Sequence, residues 1–118
     1  MNTLDSLMGK VYDKNKYNCA HFTIDVWKVI TGEDITEAFK GLLEPLKYNK
    51  ATMSLREGFK RLKEPVNPCI VLMNRKGSTP HVGVWYNGKV LHLTESGAIY
   101  APLDVAMLGF KQRRFYKC

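Results

Sequence analysis

The clearest periodic stretch of the chain begins at Cys19. Phe22, Val26, Val29 and Ile30 recur at i, i+4, i+7 and i+8, and Ile24 and Trp27 widen the same face. That spacing belongs to a helix that buries one side. Asn18 ahead of it is a good N-cap, and Gly32 stands where a helix stops, so the pattern predicts a helix over about Cys19–Thr31. A short helix with Thr3 as cap is expected over Thr3–Met8, followed by a polar, lysine-rich loop from Gly9 to Asn18. Ile35–Leu43, with Asp34 as cap and Pro45 closing it, reads as a second main helix. Met53–Leu62 reads as a third, with Leu55, Phe59 and Leu62 on one face and Arg56, Lys60 and Lys63 about the other.

The pattern changes at Pro65. Val66-Asn67-Pro68 breaks any helix, and Cys69–Met73 is a continuous apolar run suited to a buried strand. Asn74 to Pro80 is a loop and His81–Tyr86 a strand; Asn87-Gly88 is the two-residue turn of a type I′ hairpin, with Lys89–Leu93 as its partner. Ala98–Ala101 is a further short strand, Pro102–Leu108 a short helix or turn, and Phe110–Tyr116 a last strand. Helices first and a meander of strands afterwards predict a single α+β domain over residues 1–118, with N-terminal helices packed on an antiparallel sheet.

Composition narrows the class. The 118 residues are 45% hydrophobic and 25% charged, the balance of a globular domain rather than of a disordered or fibrous chain. No apolar run nears the ~20 residues of a membrane span. Met1–Ser6 carries neither the basic nor the apolar region of a secretory signal, so none is expected. Eighteen Lys and Arg against eleven Asp and Glu give a net charge of +7. The excess favours anionic partners in general, and it is spread along the chain without a block of five.

Three cysteines, Cys19, Cys69 and Cys118, are an odd number without a C-x-x-C pair, so neither a disulfide framework nor a four-cysteine zinc site is indicated. Cys69 is expected in the core and Cys118 at the exposed terminus. Cys19, at the first turn of the best helix, is the candidate nucleophile. A helix N-terminus offers unsatisfied N–H donors and partial positive charge, which favour a thiolate and can hold an oxyanion. A neighbouring imidazole can take and return the thiol proton, and it needs a partner on its second nitrogen to fix tautomer and orientation; His81 and His92 are the candidate pair. With Asn87-Gly88 as the turn, facing residues sum to 175. His81 then pairs with Thr94 and Gly83 with His92, leaving the two histidines diagonal neighbours, about 7–8 Å apart and within ring reach. His21 lies two residues from Cys19 and points away from it on a helix. Cys19, His21, Cys69, His81 and His92 have the chemistry of zinc ligands but no recurring zinc spacing, so no metal is expected.

Tyr17-Asn18-Cys19-Ala20-His21-Phe22 resembles the Tyr-Asp-Cys-Ser-Gly-Leu block of the NlpC/P60 cysteine peptidases. His81-Val82-Gly83-Val84-Trp85, Asn87-Gly88 and Val90-Leu91-His92 are similar to that family's histidine strand, turn and second polar position. Order and spacing agree from about Tyr17 to Ala101. The resemblance implies a papain-like α+β core with Cys19 as nucleophile, His81 as base and His92 as third member, and with Tyr17, Asn18 and His21 beside the substrate. It further implies a thiol-dependent peptidase or amidase without cofactor, cleaving bacterial cell-wall (peptidoglycan) peptides. Asp25-Val26-Trp27, Thr31-Gly32-Glu33-Asp34 and the basic, aromatic C-terminus look like short versions of the family found in phage tail modules. Asn18, Ala20 and His21 depart from the family's usual Asp, Ser and Gly, and His21 adds bulk at the cleft.

Two readings compete with catalysis. The fold could serve as a structural component of a phage tail, binding other tail proteins. A nucleic-acid binder could use Phe110-Lys111-Gln112-Arg113-Arg114-Phe115-Tyr116, where aromatics alternate with charges; no helix-turn-helix or zinc-finger pattern supports it.

Overall fold

The computed structural model describes residues 3–39, 59–74 and 80–117. Within them lie α1 (Leu4–Leu7), α2 (Cys19–Thr31), a 3₁₀ turn (Glu37–Phe39), β1 (Lys60–Leu62), β2 (Cys69–Asn74), β3 (His81–Tyr86), β4 (Lys89–Thr94), β5 (Gly97–Ala101), α3 (Leu103–Ala106) and β6 (Gln112–Lys117). The strands form one six-stranded sheet in the order β1-β6-β2-β3-β4-β5, and every pairing is antiparallel. The architecture is mixed α+β.

Helix α2 has the predicted bounds because both ends are closed by side chain or backbone geometry. Asn18 Oδ1 accepts from the backbone N–H of Ala20 at 2.9 Å, while His21 Nδ1 accepts from the N–H of Asn18 at 3.1 Å. This reciprocal box satisfies the first turn. Gly32 ends the helix at φ +81°, a left-handed conformation that glycine adopts without cost, and its N–H reaches Lys28 O at 2.8 Å. The helix buries Ala20, Phe22, Val26 and Trp27. They pack with Ile70, Leu72, Val82, Val84, Leu91, Leu93 and Tyr116 from one face of the sheet. The opposite face gathers Cys69, Val71, Met73, Val90 and Phe115 around Ala106 of α3. Strict alternation along β2, β3 and β6 thus feeds two cores, as the period of a strand requires.

Two predicted helices need correction. Ile35–Leu43 contains only the 3₁₀ turn Glu37–Phe39 among the described residues, with Phe39 fully buried; residues 40–43 lie outside them. Met53–Leu62 does not end as a helix. Lys60–Leu62 is β1, an edge strand paired with β6 through Lys60↔Lys117, Arg61↔Tyr116 and Leu62↔Phe115. A three-residue edge strand is too short to show a period of two, and the partner that defines it lies more than fifty residues on. The rest of that segment, residues 53–58, falls outside the described residues. The last strand starts two residues later than expected, at Gln112.

The hairpin turn falls at Asn87 and Gly88, both with positive φ, and the ladder Tyr86↔Lys89, Trp85↔Val90, Val84↔Leu91 keeps the predicted sum of 175. It ends there, short of the expected Gly83↔His92 and His81↔Thr94 pairs. Gly83 sits at the break: a Cβ on it would lie 2.7 Å from Leu91 O and 3.0 Å from His92 Cβ. Only glycine lets the strands approach this closely. Among the described residues no helix is long and apolar enough to cross a membrane.

Candidate functional site

A cleft of about 540 Å³ opens where the start of α2, the start of β3 and the end of β4 meet. Asn18 and Cys19 come from the helix start, Pro80 and His81 from the head of β3, and His92, Leu93, Thr94 and Glu95 from the end of β4. Tyr12 and Lys14 are supplied by the loop ahead of α2, and Ile99, Val105, Leu108 and Phe110 by β5 and the α3–β6 connection.

Cys19 is half-buried at the first helical position. The backbone N–H groups of Val82, Ala20 and Cys19 itself donate toward its sulfur. The Val82 contact ties the helix start to β3 one residue after His81. Burial nevertheless prevails over these donors and pushes the thiol up from its ordinary range. The helix start therefore supplies the donors expected of it, but the resting sulfur is a thiol.

His81 Nε2 lies 2.8 Å from His92 Nδ1, with ring centroids 5.0 Å apart and planes at 74°. The opposite constraint on His81 is Phe110, whose ring lies flat against it at 5.5 Å and 13°. Phe110 is held there by its turn to Met107 (N–H to O, 2.8 Å) and by the next residue, Lys111, whose N–H reaches Asn74 O at 2.8 Å. His92 is 5% exposed, and burial lowers its pKa, so it stays neutral. Its Nε2 is buried without a hydrogen-bond partner among the described residues.

Asn18 lines the cleft while capping the helix. Tyr17 and His21 are not among its lining residues. They stack on each other at 5.9 Å and 23°, Tyr17 donates its hydroxyl to Asp25 Oδ2 at 2.6 Å, and Lys10 Nζ sits 5.2 Å above the Tyr17 ring. Their contacts brace the entry to α2.

Sequence reasoning passed over Tyr12, Lys14, Glu95 and Phe110 as site residues. Burial first, and then negative charge at Cys19, Glu95 and Asp13, raises the Tyr12 pKa and keeps it a phenol. No local pattern announces these residues, because loop and strand-end contacts join segments about eighty residues apart. Phe115 and Tyr116, two of the aromatics considered for base stacking, are buried on opposite faces of the sheet. Among the described residues no group of three or more His, Cys, Asp or Glu side chains is arranged to hold a metal ion. No protein-family model matches the chain, and no curated protein matches it.

Proposed function

We propose that this chain is a thiol-dependent amidase or peptidase of the NlpC/P60 type, built on a papain-like core, that cleaves amide bonds in peptidoglycan peptides with Cys19, His81 and His92, and that acts in a phage tail. The observation that carries this reading is the 2.8 Å contact between His81 Nε2 and His92 Nδ1 in a cleft that also holds Cys19. A base for a thiol needs a fixed ring orientation, which a contact on one of its nitrogens supplies. The His92 contact engages Nε2 of His81, and proton exchange with the thiol is assigned to its Nδ1.

The chemistry follows from the resting state. The thiol is neutral, so its proton moves to His81 as the sulfur attacks the amide carbon rather than beforehand. The C–S bond forms and the carbonyl π pair moves to oxygen. The backbone N–H groups at the helix start, which donate toward the resting sulfur, are assigned to the developing oxyanion, with the Tyr12 hydroxyl of the same cleft lining as a further donor. The protonated His81 gives its proton to the leaving nitrogen as the C–N bond breaks. Water, deprotonated by the same ring, forms a C–O bond at the thioester carbon; the C–S bond breaks and His81 returns the proton to the Cys19 sulfur. His92 remains neutral throughout and accepts from His81.

Release of soluble fragments from purified cell-wall sacculi tests the reading. Wild type is expected to release them, and Cys19→Ala and His81→Ala to lose at least about a hundredfold in rate, in line with the usual worth of a nucleophile and its base. Equal release by all three would sink the enzyme reading and leave the structural tail component.

A further inference from the structure

The cleft is chemically two-sided, and the catalytic ring belongs to one side. Seven large hydrophobic residues stay exposed among the described residues, and three of them, Ile99, Val105 and Leu108, line this cleft at 38%, 50% and 77% exposure. Packing does not account for leaving them in water beside a reactive site. Phe110 continues this wall and lies flat on His81. Ala101 and Ala106 are small, nearly buried residues in the same lining, and they leave room above them. The polar residues of the lining come from other elements: Tyr12 and Lys14 from the loop ahead of α2, Thr94 and Glu95 from the end of β4.

We infer that the leaving side of the scissile bond is apolar: the substrate is an amide whose amine half carries an aliphatic or aromatic group seated against Phe110, Leu108 and Val105. The inference rests on the thiol hydrolase reading above. His81 must reach the leaving nitrogen to protonate it, so the substituent on that nitrogen lies beside the wall that Phe110, in contact with His81, continues. The acyl half is left to the polar residues around Tyr12 and Glu95. Full burial of one methylene is worth roughly a three- to fourfold preference, so even a partly seated chain is measurable.

The test uses the reverse of the leaving step, since an acceptor amine occupies the site that the leaving amine vacates. p-Nitrophenyl acetate acylates Cys19: the S–C bond forms, the C–O bond breaks and p-nitrophenolate departs with the electron pair. Ethylamine, butylamine and hexylamine, which are nearly equal in basicity, then compete with water for the thioester. The amine nitrogen forms the C–N bond, the C–S bond breaks and one amine proton passes to His81. The N-alkyl acetamide is quantified against acetate by mass spectrometry. The expected result is that hexylamine outcompetes ethylamine by roughly tenfold or more, and that the ratio falls severalfold in Leu108→Ser and Val105→Ser. Both residues are half-exposed or more, so these variants keep the fold. Equal partitioning of the three amines, or a chain preference unmoved by the two variants, overturns the apolar leaving side while the nucleophile reading stands. Absence of an acetyl group on Cys19 removes the nucleophile reading, and the inference with it.

Discussion

His81 and His92 meet edge to face, Nε2 to Nδ1 at 2.8 Å, from two strands whose regular ladder has already ended at Val84↔Leu91. The hairpin turn brings the residues near each other, and Gly83 closes the remaining distance. The contact also divides labour between two chemically identical side chains. His92 is buried and kept neutral, whereas His81 is partly open to the cleft and stacked on Phe110. In the proposed mechanism the buried ring orients and the partly open ring is the base.

Removing the acceptor tests this division. His92→Ala leaves His81 Nε2 without its partner and frees the ring to turn. Cleavage is expected to fall by about tenfold to a thousandfold, within the span that general acid–base catalysis contributes. His92→Asn retains an amide oxygen that can accept the same hydrogen bond, and is expected to recover a large part of the loss. The pH–rate profile decides the matter: the limb assigned to His81 should shift in the alanine variant and return toward wild type in the asparagine variant. Unshifted profiles in both would leave His92 a packing residue.

Gly83→Ala probes the same contact through the backbone. The added Cβ would meet Leu91 O at 2.7 Å, His92 Cβ at 3.0 Å and Val90 Cγ1 at 3.1 Å. Two of these are backbone or first side-chain atoms and cannot swing away, so β3 and β4 must separate. The expected cost is about 1–3 kcal/mol, typical of overpacking, read as a lower urea midpoint, with a loss of cleavage larger than the loss of folded protein. A variant as stable and as active as wild type would show that the close approach is unimportant.

How far the chain could be read follows from the range of each interaction. Helix α2, its two caps and the Asn87-Gly88 turn depend on residues within four or five positions, and the pattern of the sequence carries them. Cys69–Met73 was legible as a strand because burial on both faces makes it uniformly apolar. Lys60–Leu62 was not, since its strand character comes from pairing with Phe115–Lys117. The site divides the same way. Cys19, His81 and His92 stand out by residue type, element position and hairpin counting. Tyr12, Glu95 and Phe110 reach the site through tertiary contacts alone. The contacts that engage Tyr17 and His21 are visible only once the helix start is folded.

The burial of Cys19 has a consequence for stability against pH. Its folded pKa lies above the unfolded value, so the folded state holds the proton more tightly. Stability from this group is complete below the unfolded thiol pKa of about 8.5 and declines as pH rises above it. Tyr12 and Tyr17, also raised, add a decline above about pH 10. Denaturant midpoints measured from pH 7 to 10.5 are expected to fall, and to fall less in Cys19→Ala between pH 8.5 and 10. Parallel curves for the two proteins would contradict a buried thiol with a raised pKa.

Tyr17 separates substrate binding from support of the helix start. Its hydroxyl is committed to Asp25 at 2.6 Å and its ring to His21 and Lys10. Tyr17→Phe removes one hydrogen bond and keeps both ring contacts. The expected loss is about 1 kcal/mol of stability, as for a single net hydrogen bond, with KM for a soluble wall peptide changed less than twofold. A large rise in KM at unchanged stability would instead assign Tyr17 to the substrate, as the family resemblance implies.

Tyr12 offers the sharpest separation of nucleophile from oxyanion support. Tyr12 lines the cleft with Cys19, and its raised pKa, due to burial first and then to neighbouring charges, keeps its hydroxyl protonated near neutral pH. A phenol acting as the proposed oxyanion donor would serve attack on the carbonyl but has no part in simple alkylation of the sulfur, where no oxyanion forms. Tyr12→Phe is therefore expected to lower amide cleavage by roughly tenfold to a hundredfold, toward the lower range for loss of one oxyanion donor because the backbone N–H groups at the helix start remain. The rate at which iodoacetamide labels Cys19, followed by mass spectrometry, should change by less than twofold. Equal losses in both reactions would mean that Tyr12 acts on the thiol itself, through its hydroxyl or by shaping the cleft, and the oxyanion would then rest on the backbone donors alone.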